Sequence, residues 1–151
     1  MRSVADSPTL IVDTASLYFR AYYGVSASLT DEAGHPVNAV HGLLDMLARL
    51  VQIYSPAALV CAWDDDWRPA WRVELVPSYK THRLATPEVL AGAAAEAVTE
   101  GTEANLEIVE DDLARQVPWI VDCLTAAGLC VAGAPGFEAD DVIGTLARRL
   151  A

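Results

Sequence analysis

Three short apolar runs, Thr9–Val12, Ala57–Trp63 and Leu129–Ala132, are separated by longer stretches whose apolar residues recur every three or four positions. Runs this short fit buried strands, whereas the spacing between them is that of amphipathic helices. Alternation of the two implies an α/β fold, a parallel central sheet flanked by helices. Residues 14–25, rich in Ala, Leu and aromatics, read as the first helix. Asn38 is an expected N-cap of the second, whose apolar residues Val40, Leu43, Leu44, Leu47, Leu50, Val51 and Tyr54 recur at helical spacing and which stops at Pro56. A helix over Leu113–Ala127 buries Val117, Ile120, Val121 and Leu124, with Gly128 at C′. The last helix, from near Glu138, buries Val142, Ile143, Leu146 and Leu150. Residues 31–36 read as a turn-rich loop, and 67–83 as a loop with one helical turn. Segment 84–112 is acidic and poor in large apolar residues, which predicts a mobile excursion within a single domain, 1–151.

No apolar run approaches the roughly 20 residues that span a bilayer, and MRSVADSPT lacks a signal-peptide apolar region. A cytoplasmic location is the expectation. Cys61, Cys123 and Cys130 form no CxxC pair and are expected to be buried free thiols. Twenty-one acids against ten bases give a net charge of −11. Such a chain cannot coat DNA with a general basic surface, because phosphate contacts need Lys and Arg. It can still hold cations where its acids cluster, and a bound cation inverts the local field.

The placement of the acids is more informative than their number. Asp13 ends the first strand, Asp64 ends the second with Asp65 and Asp66 beside it, and Glu138, Asp140 and Asp141 follow the third. Open parallel sheets bind ligands at the carboxyl ends of their strands. Carboxylates gathered there repel one another unless a cation sits among them, and oxygen ligands without His or Cys suit Mg²⁺ or Mn²⁺. Singly, each acid reads equally as a helix cap or a complement to a helix dipole. Caps, however, do not require every strand to end in acid. Arg68, Arg72, Lys80, His82 and Arg83 add a basic group just after Asp64. Such cations can neutralise charge on a reacting phosphate or can simply pair with surface acids.

These residues carry a resemblance to the 5′-nuclease family, the flap endonucleases and the 5′–3′ exonuclease domain at the front of bacterial DNA polymerase I. The matching pieces are Leu-Ile-Val-Asp13 with Leu17 and Phe19-Arg20, Pro36-Val-Asn-Ala-Val-His-Gly42, Trp63-Asp64, Trp71-Arg72, Tyr79-Lys80-Thr-His-Arg83, Gln116-Val-Pro118 and Gly136-Phe-Glu-Ala-Asp-Asp141. They cover nearly the whole chain, in the family's order. The resemblance implies a PIN-like fold and hydrolysis of DNA phosphodiesters at 5′ ends or 5′ flaps, in replication and repair, by a monomer. It implies two Mg²⁺ ions, replaceable by Mn²⁺, on Asp13, Asp64, Glu138, Asp140 and Asp141. Arg72, Lys80 and Arg83 would contact the scissile phosphate, Phe19 and Arg20 would meet the substrate, and Asn38 to Gly42 would start a helix supporting duplex DNA.

The sequence departs from the family pattern at His41, where an aromatic is usual, and at Trp63, where Phe is usual. Segment 84–112 falls in the family's arch region yet is acidic. The family's later aspartates and its potassium-binding helix–turn–helix have no counterpart in the 151 residues, so weak metal binding and weak cleavage by this chain alone are expected. Two other readings compete. Val60-Cys-Ala-Trp-Asp64-Asp-Asp66 resembles the Asp-x-Asp nucleophile of haloacid-dehalogenase-like phosphatases, with Asp140-Asp141 as their later acidic motif, although that family carries the nucleophile on the first strand. A non-catalytic nucleic-acid-binding fragment is the other.

Overall fold

A computed structural model describes residues 7–84 and 110–150. Its elements run β1 (Thr9–Asp13), α1 (Thr14–Gly24), α2 (Asn38–Tyr54), β2 (Ala58–Ala62), α3 (Ala70–Leu75), a 3₁₀ turn (Thr81–Arg83), α4 (Asp111–Ala126), β3 (Cys130–Ala132) and α5 (Ala139–Leu150). The three strands form one parallel sheet in the order β1-β2-β3. Val12 pairs with Cys61 and Asp13 with Ala62, while Cys61 pairs with Val131 and Ala62 with Ala132. This register brings the carboxyl ends of all three strands to one edge, as the strand–helix alternation predicts.

The core lies between the sheet and the α2–α4 pair. Val12 and Cys61 meet Ala39, Leu43 and Leu47 of α2 and Leu113, Ile120 and Leu124 of α4. Leu43, Leu113, Ile120 and Leu124 are fully buried, which stabilises by about 1.5–3 kcal/mol for each side chain. Helix α5 packs separately against β1 and β2. Helix α2 crosses α1 closely because Gly42 faces it. A Cβ there would stand 2.7 Å from the Ala21 Cβ and 2.8 Å from the Val25 Cγ2.

Several expectations need correction. Asn38 is not the α2 N-cap: Val37 occupies that position, and Asn38 is the first helical residue. Its buried amide instead donates to the carbonyls of Tyr22 (2.7 Å) and Val25 (3.1 Å), which α1 leaves without helical partners. The α2 N-terminus is closed from α4, where the buried Gln116 Oε1 accepts from the Ala39 N–H at 2.8 Å. Helix α2 ends on Ser55, left-handed at φ 45°, one residue before Pro56. The loop expected over 67–83 contains a six-residue helix as well as the 3₁₀ turn. Helix α4 starts at Asp111, inside the excursion expected over 84–112, most of which lies outside the described residues. Leu150, expected inside, is 59% exposed. Of the cysteines only Cys61 is buried; Cys123 is intermediate and Cys130 exposed, and all are free. No described helix is long and apolar enough to cross a membrane.

Candidate metal and phosphate site

Three of the acids at the carboxyl edge are fixed by helix starts, Asp13 by the helix that follows its own strand and Asp64 and Asp141 by the helix that follows β3. Asp13 caps α1: its Oδ1 accepts from the Ser16 N–H at 2.9 Å and its Oδ2 from the Ser16 hydroxyl at 2.6 Å. Asp64 reaches across to α5, where its Oδ1 accepts from the Ala139 N–H at 2.6 Å. Asp141, in the first turn of α5, returns its Oδ2 to the Glu138 N–H at 3.1 Å. Both bonds satisfy N–H groups that a helix start leaves unpaired, and the helix dipole favours the negative charge there. Capping and gathering are therefore one arrangement, so the structural and chemical readings of these acids do not exclude each other.

A cavity of about 620 Å³ opens at this edge, lined by Asp13, Asp64, Asp65, Glu138 and Asp140 together with Lys80 and Arg83. Tyr18, Phe19, Trp63 and Trp67 give it an aromatic wall. The Tyr18 ring centroid lies 5.0 Å from that of Phe19 and 6.1 Å from that of Trp63. The structure thus brings together Asp13, Asp64, Glu138, Asp140, Lys80, Arg83 and Phe19. Asp141 and Arg72 stand beside the cavity as an ion pair, Nη2 to Oδ1 at 2.6 Å.

Arg72 sits on α3 with its guanidinium over the Trp71 ring, 4.7 Å from the centroid. Trp71 is itself tied to the Gly136 carbonyl at 3.2 Å, so α3 leans on the loop before α5. Arg72 Nε lies 2.9 Å from Glu138 Oε2, yet its N–H is not directed at that oxygen and finds no acceptor among the described residues. Their contact is an ion pair without a hydrogen bond. Lys80 adopts a left-handed backbone, φ 52°, and directs Nζ to both the Trp67 carbonyl and Glu138 Oε1. The Tyr79 hydroxyl donates to Glu138 Oε2 at 2.6 Å. Burial, then this bond and the charge of Glu138, push the Tyr79 phenol up to about 12.

Burial also raises the Asp64 carboxyl above the ordinary carboxylate range. The Ala139 N–H and Lys80 oppose that rise, while Asp13 and Glu138 add to it. Asp64 and Asp13 have no Lys, Arg or His within ion-pair distance among the described residues. An all-oxygen donor set with charge left uncompensated suits a hard divalent cation. The donors fit in kind, but they are not assembled as a cage: among the described residues no three His, Cys, Asp or Glu side chains are grouped to hold an ion.

Other site residues fall elsewhere. Arg20 is exposed on α1 and does not line the cavity. Asn38 and Gly42, which the resemblance places at the start of a helix supporting duplex DNA, are buried at the α1–α2 crossing, where the Asn38 amide holds the end of α1. Arg68, counted with the cavity's bases, is buried, its Nε donating to the Tyr79 carbonyl at 2.7 Å. Tyr79 received no role from sequence, although it stands in the Tyr-Lys-x-His-Arg piece. Adjacency to Lys80 was its only signal.

A family model described as the 5′-3′ exonuclease, N-terminal resolvase-like domain matches residues 8–151. A protein of Mycobacterium tuberculosis named 5′-3′ exonuclease is 46% identical over 143 residues, 95% of this chain and 42% of that protein. One of the same name from Streptomyces coelicolor is 51% identical over 140 residues, 93% of this chain and 42% of that protein. A DNA polymerase I of Mycobacterium bovis is 34% identical over 142 residues, 93% of this chain but 13% of that protein. The chain therefore spans well under half the length of these relatives.

Proposed function

Because the chain belongs to the 5′-3′ exonuclease family, as its N-terminal resolvase-like domain, we propose that it carries the divalent-metal centre of a nuclease hydrolysing DNA at 5′ ends or 5′ flaps. The observation that carries this reading is one cavity holding acids from three strand ends beside Lys80 and Arg83. Asp13, Asp64, Glu138, Asp140 and Asp141 are the residues to hold Mg²⁺ or Mn²⁺, two ions in the complete enzyme. When bound, such ions supply Lewis acidity to the attacking water and the leaving oxygen. The chain's own residues do the rest. Arg72, Lys80 and Arg83 take up charge developing on the phosphate. Phe19, in the aromatic wall, offers a face to a nucleobase, and the exposed Arg20 offers a contact to the backbone beyond the cavity. This is the work of a cytoplasmic monomer in replication and repair.

The test pairs cleavage with binding. Cleavage of a 5′-flap DNA that requires Mg²⁺ or Mn²⁺ and is lost in Asp13→Ala supports the proposal. Mn²⁺ binding followed by electron paramagnetic resonance, lost in the same variant, supports it without turnover. DNA binding with neither cleavage nor bound cation would leave a non-catalytic binding fragment. An aspartyl-phosphate trapped with fluoroberyllate would leave the phosphatase.

A further inference from the structure

The acids of the site divide according to what neutralises them. The Glu138 side chain is only 4% exposed. It faces Lys80 Nζ on Oε1, and the Tyr79 hydroxyl and Arg72 Nε on Oε2. Asp141 holds Arg72 Nη2. Asp13 and Asp64 instead accept hydrogen bonds from uncharged donors, Ser16 and the Ala139 N–H. Lys80 and Arg72 are thus spent on one half of the acid group.

A carboxylate presents about four acceptor directions; the Tyr79 hydroxyl and Lys80 already occupy two on Glu138, and the Arg72 guanidinium stands against Oε2 as an ion pair. A divalent ion needs its oxygens at about 2.0–2.1 Å. An ammonium on the same buried carboxylate would stand close enough to oppose it strongly, because Coulomb energy rises as separation and local dielectric fall. Lys80 and a divalent ion therefore compete for Glu138. One donor is also left over: the buried Arg72 Nε–H has no acceptor among the described residues while Arg72 stays on the acids. A phosphate oxygen is the group it fits.

We infer, on the premise of the metal-dependent function proposed above, that Lys80 and Arg72 are built-in counterions that hold Glu138 and Asp141 in the metal-free protein. Both exchange places with the divalent ion, and the exchange frees them for phosphate. A static ion-pair network, by contrast, would keep the same partners with and without metal.

Two measurements decide between these. Mn²⁺ affinity is compared between the unsubstituted protein and Lys80→Met, alongside the melting temperature of each without metal. The exchange predicts that Lys80→Met binds Mn²⁺ about tenfold tighter and melts lower when metal-free. In the unsubstituted protein, the Arg72 Nε–Hε resonance is followed by ¹⁵N NMR as Mg²⁺ is added, which needs no variant to fold. It should shift and exchange faster with water at saturation. Normal Mn²⁺ binding with unchanged or weaker affinity in Lys80→Met overturns the exchange and leaves the proposed function standing. Tighter binding with an unmoved Arg72 resonance overturns it too, since removal of a nearby charge then suffices. Absence of cation binding in both proteins overturns the metal-dependent function itself, and the exchange with it.

Discussion

Gln116 ties α4 to α2 directly and, through Asn38, to the end of α1, so its replacement by Leu is a sharp perturbation. Its Oε1 accepts from the Ala39 N–H at 2.8 Å and more weakly from Val40 at 3.3 Å, while its Nε2 donates to Asn38 Oδ1 and the Asp112 carbonyl, both at 3.1 Å. Gln116 and Ala39 are fully buried and Asn38 is 1% exposed, so water cannot replace these partners without reorganisation. Gln116→Leu orphans the Ala39 N–H and the Asn38 Oδ1. Each buried group left unpaired costs about 1–3 kcal/mol. Part of that is offset because Leu brings no polar group of its own to bury. A net loss of roughly 2–4 kcal/mol follows, or about 5–15 °C in Tm for a domain of this size. Urea unfolding followed by circular dichroism reads the change as a lower midpoint at constant slope. Hydrogen exchange should accelerate at Ala39 and Val40 more than at Leu47 in the middle of α2. A variant within about 0.5 kcal/mol of the parent, the ordinary scatter of surface substitutions, would refute the capping role.

Two further outcomes are expected. Gly42→Ala and Gly144→Ala should move stability in opposite directions: Gly144 has open space around its Cβ direction and gains about 1 kcal/mol of helix propensity, whereas Gly42 meets Ala21 and Val25 inside 3 Å and loses about 1–3 kcal/mol to overpacking. Shifts of the same sign in thermal melts would contradict the close α1–α2 crossing. Because burial raises the folded-state pKa of Asp64, this group favours the fold below its unfolded pKa and loses that contribution as pH rises through the folded value. Metal-free Asp64→Asn, which still accepts from Ala139, should therefore melt higher than the parent at neutral pH, with the gap closing in acid, while Mg²⁺ stabilises only the parent; a variant less stable at pH 7 than at pH 4, relative to the parent, would reverse the sign.

Much of the fold was legible because period alone distinguishes strand from helix. The three apolar runs became the three strands within a residue or so at most ends, and the helical spacing around Leu43 and Leu47 marked the face that is buried. Errors came where a distant partner overrides a local preference. Asn38 is a good N-cap residue by type, but Gln116, 78 positions away, supplies the cap, and Asn38 turns to the carbonyls at the end of α1. Helix α3 was expected only as one helical turn in a loop, for a similar reason. Its six residues have no buried side chain to give a periodic signal, and Trp71 and Arg72 hold it through Gly136, Glu138 and Asp141.

In the site, the acids were legible and their partners were not. A strand end fixes where Asp13, Asp64 and Glu138 emerge, so their gathering follows from topology. The return of Arg72 and Lys80 onto Glu138 depends on a left-handed turn at Lys80 and on contacts of α3, none of which has a period. That pairing also bears on the chain's net charge of −11. If the bases were free, they would offer phosphate a basic surface without help. Paired as they are, they cancel part of the acid charge and leave Asp13, Asp64, Asp65 and Asp140 in the cavity wall without a cationic partner among the described residues. A phosphate approaching that wall meets repulsion until cations are present. An acidic chain and the proposed phosphodiester substrate are therefore compatible where divalent ions set the local field. Net charge counted from sequence is blind to that condition.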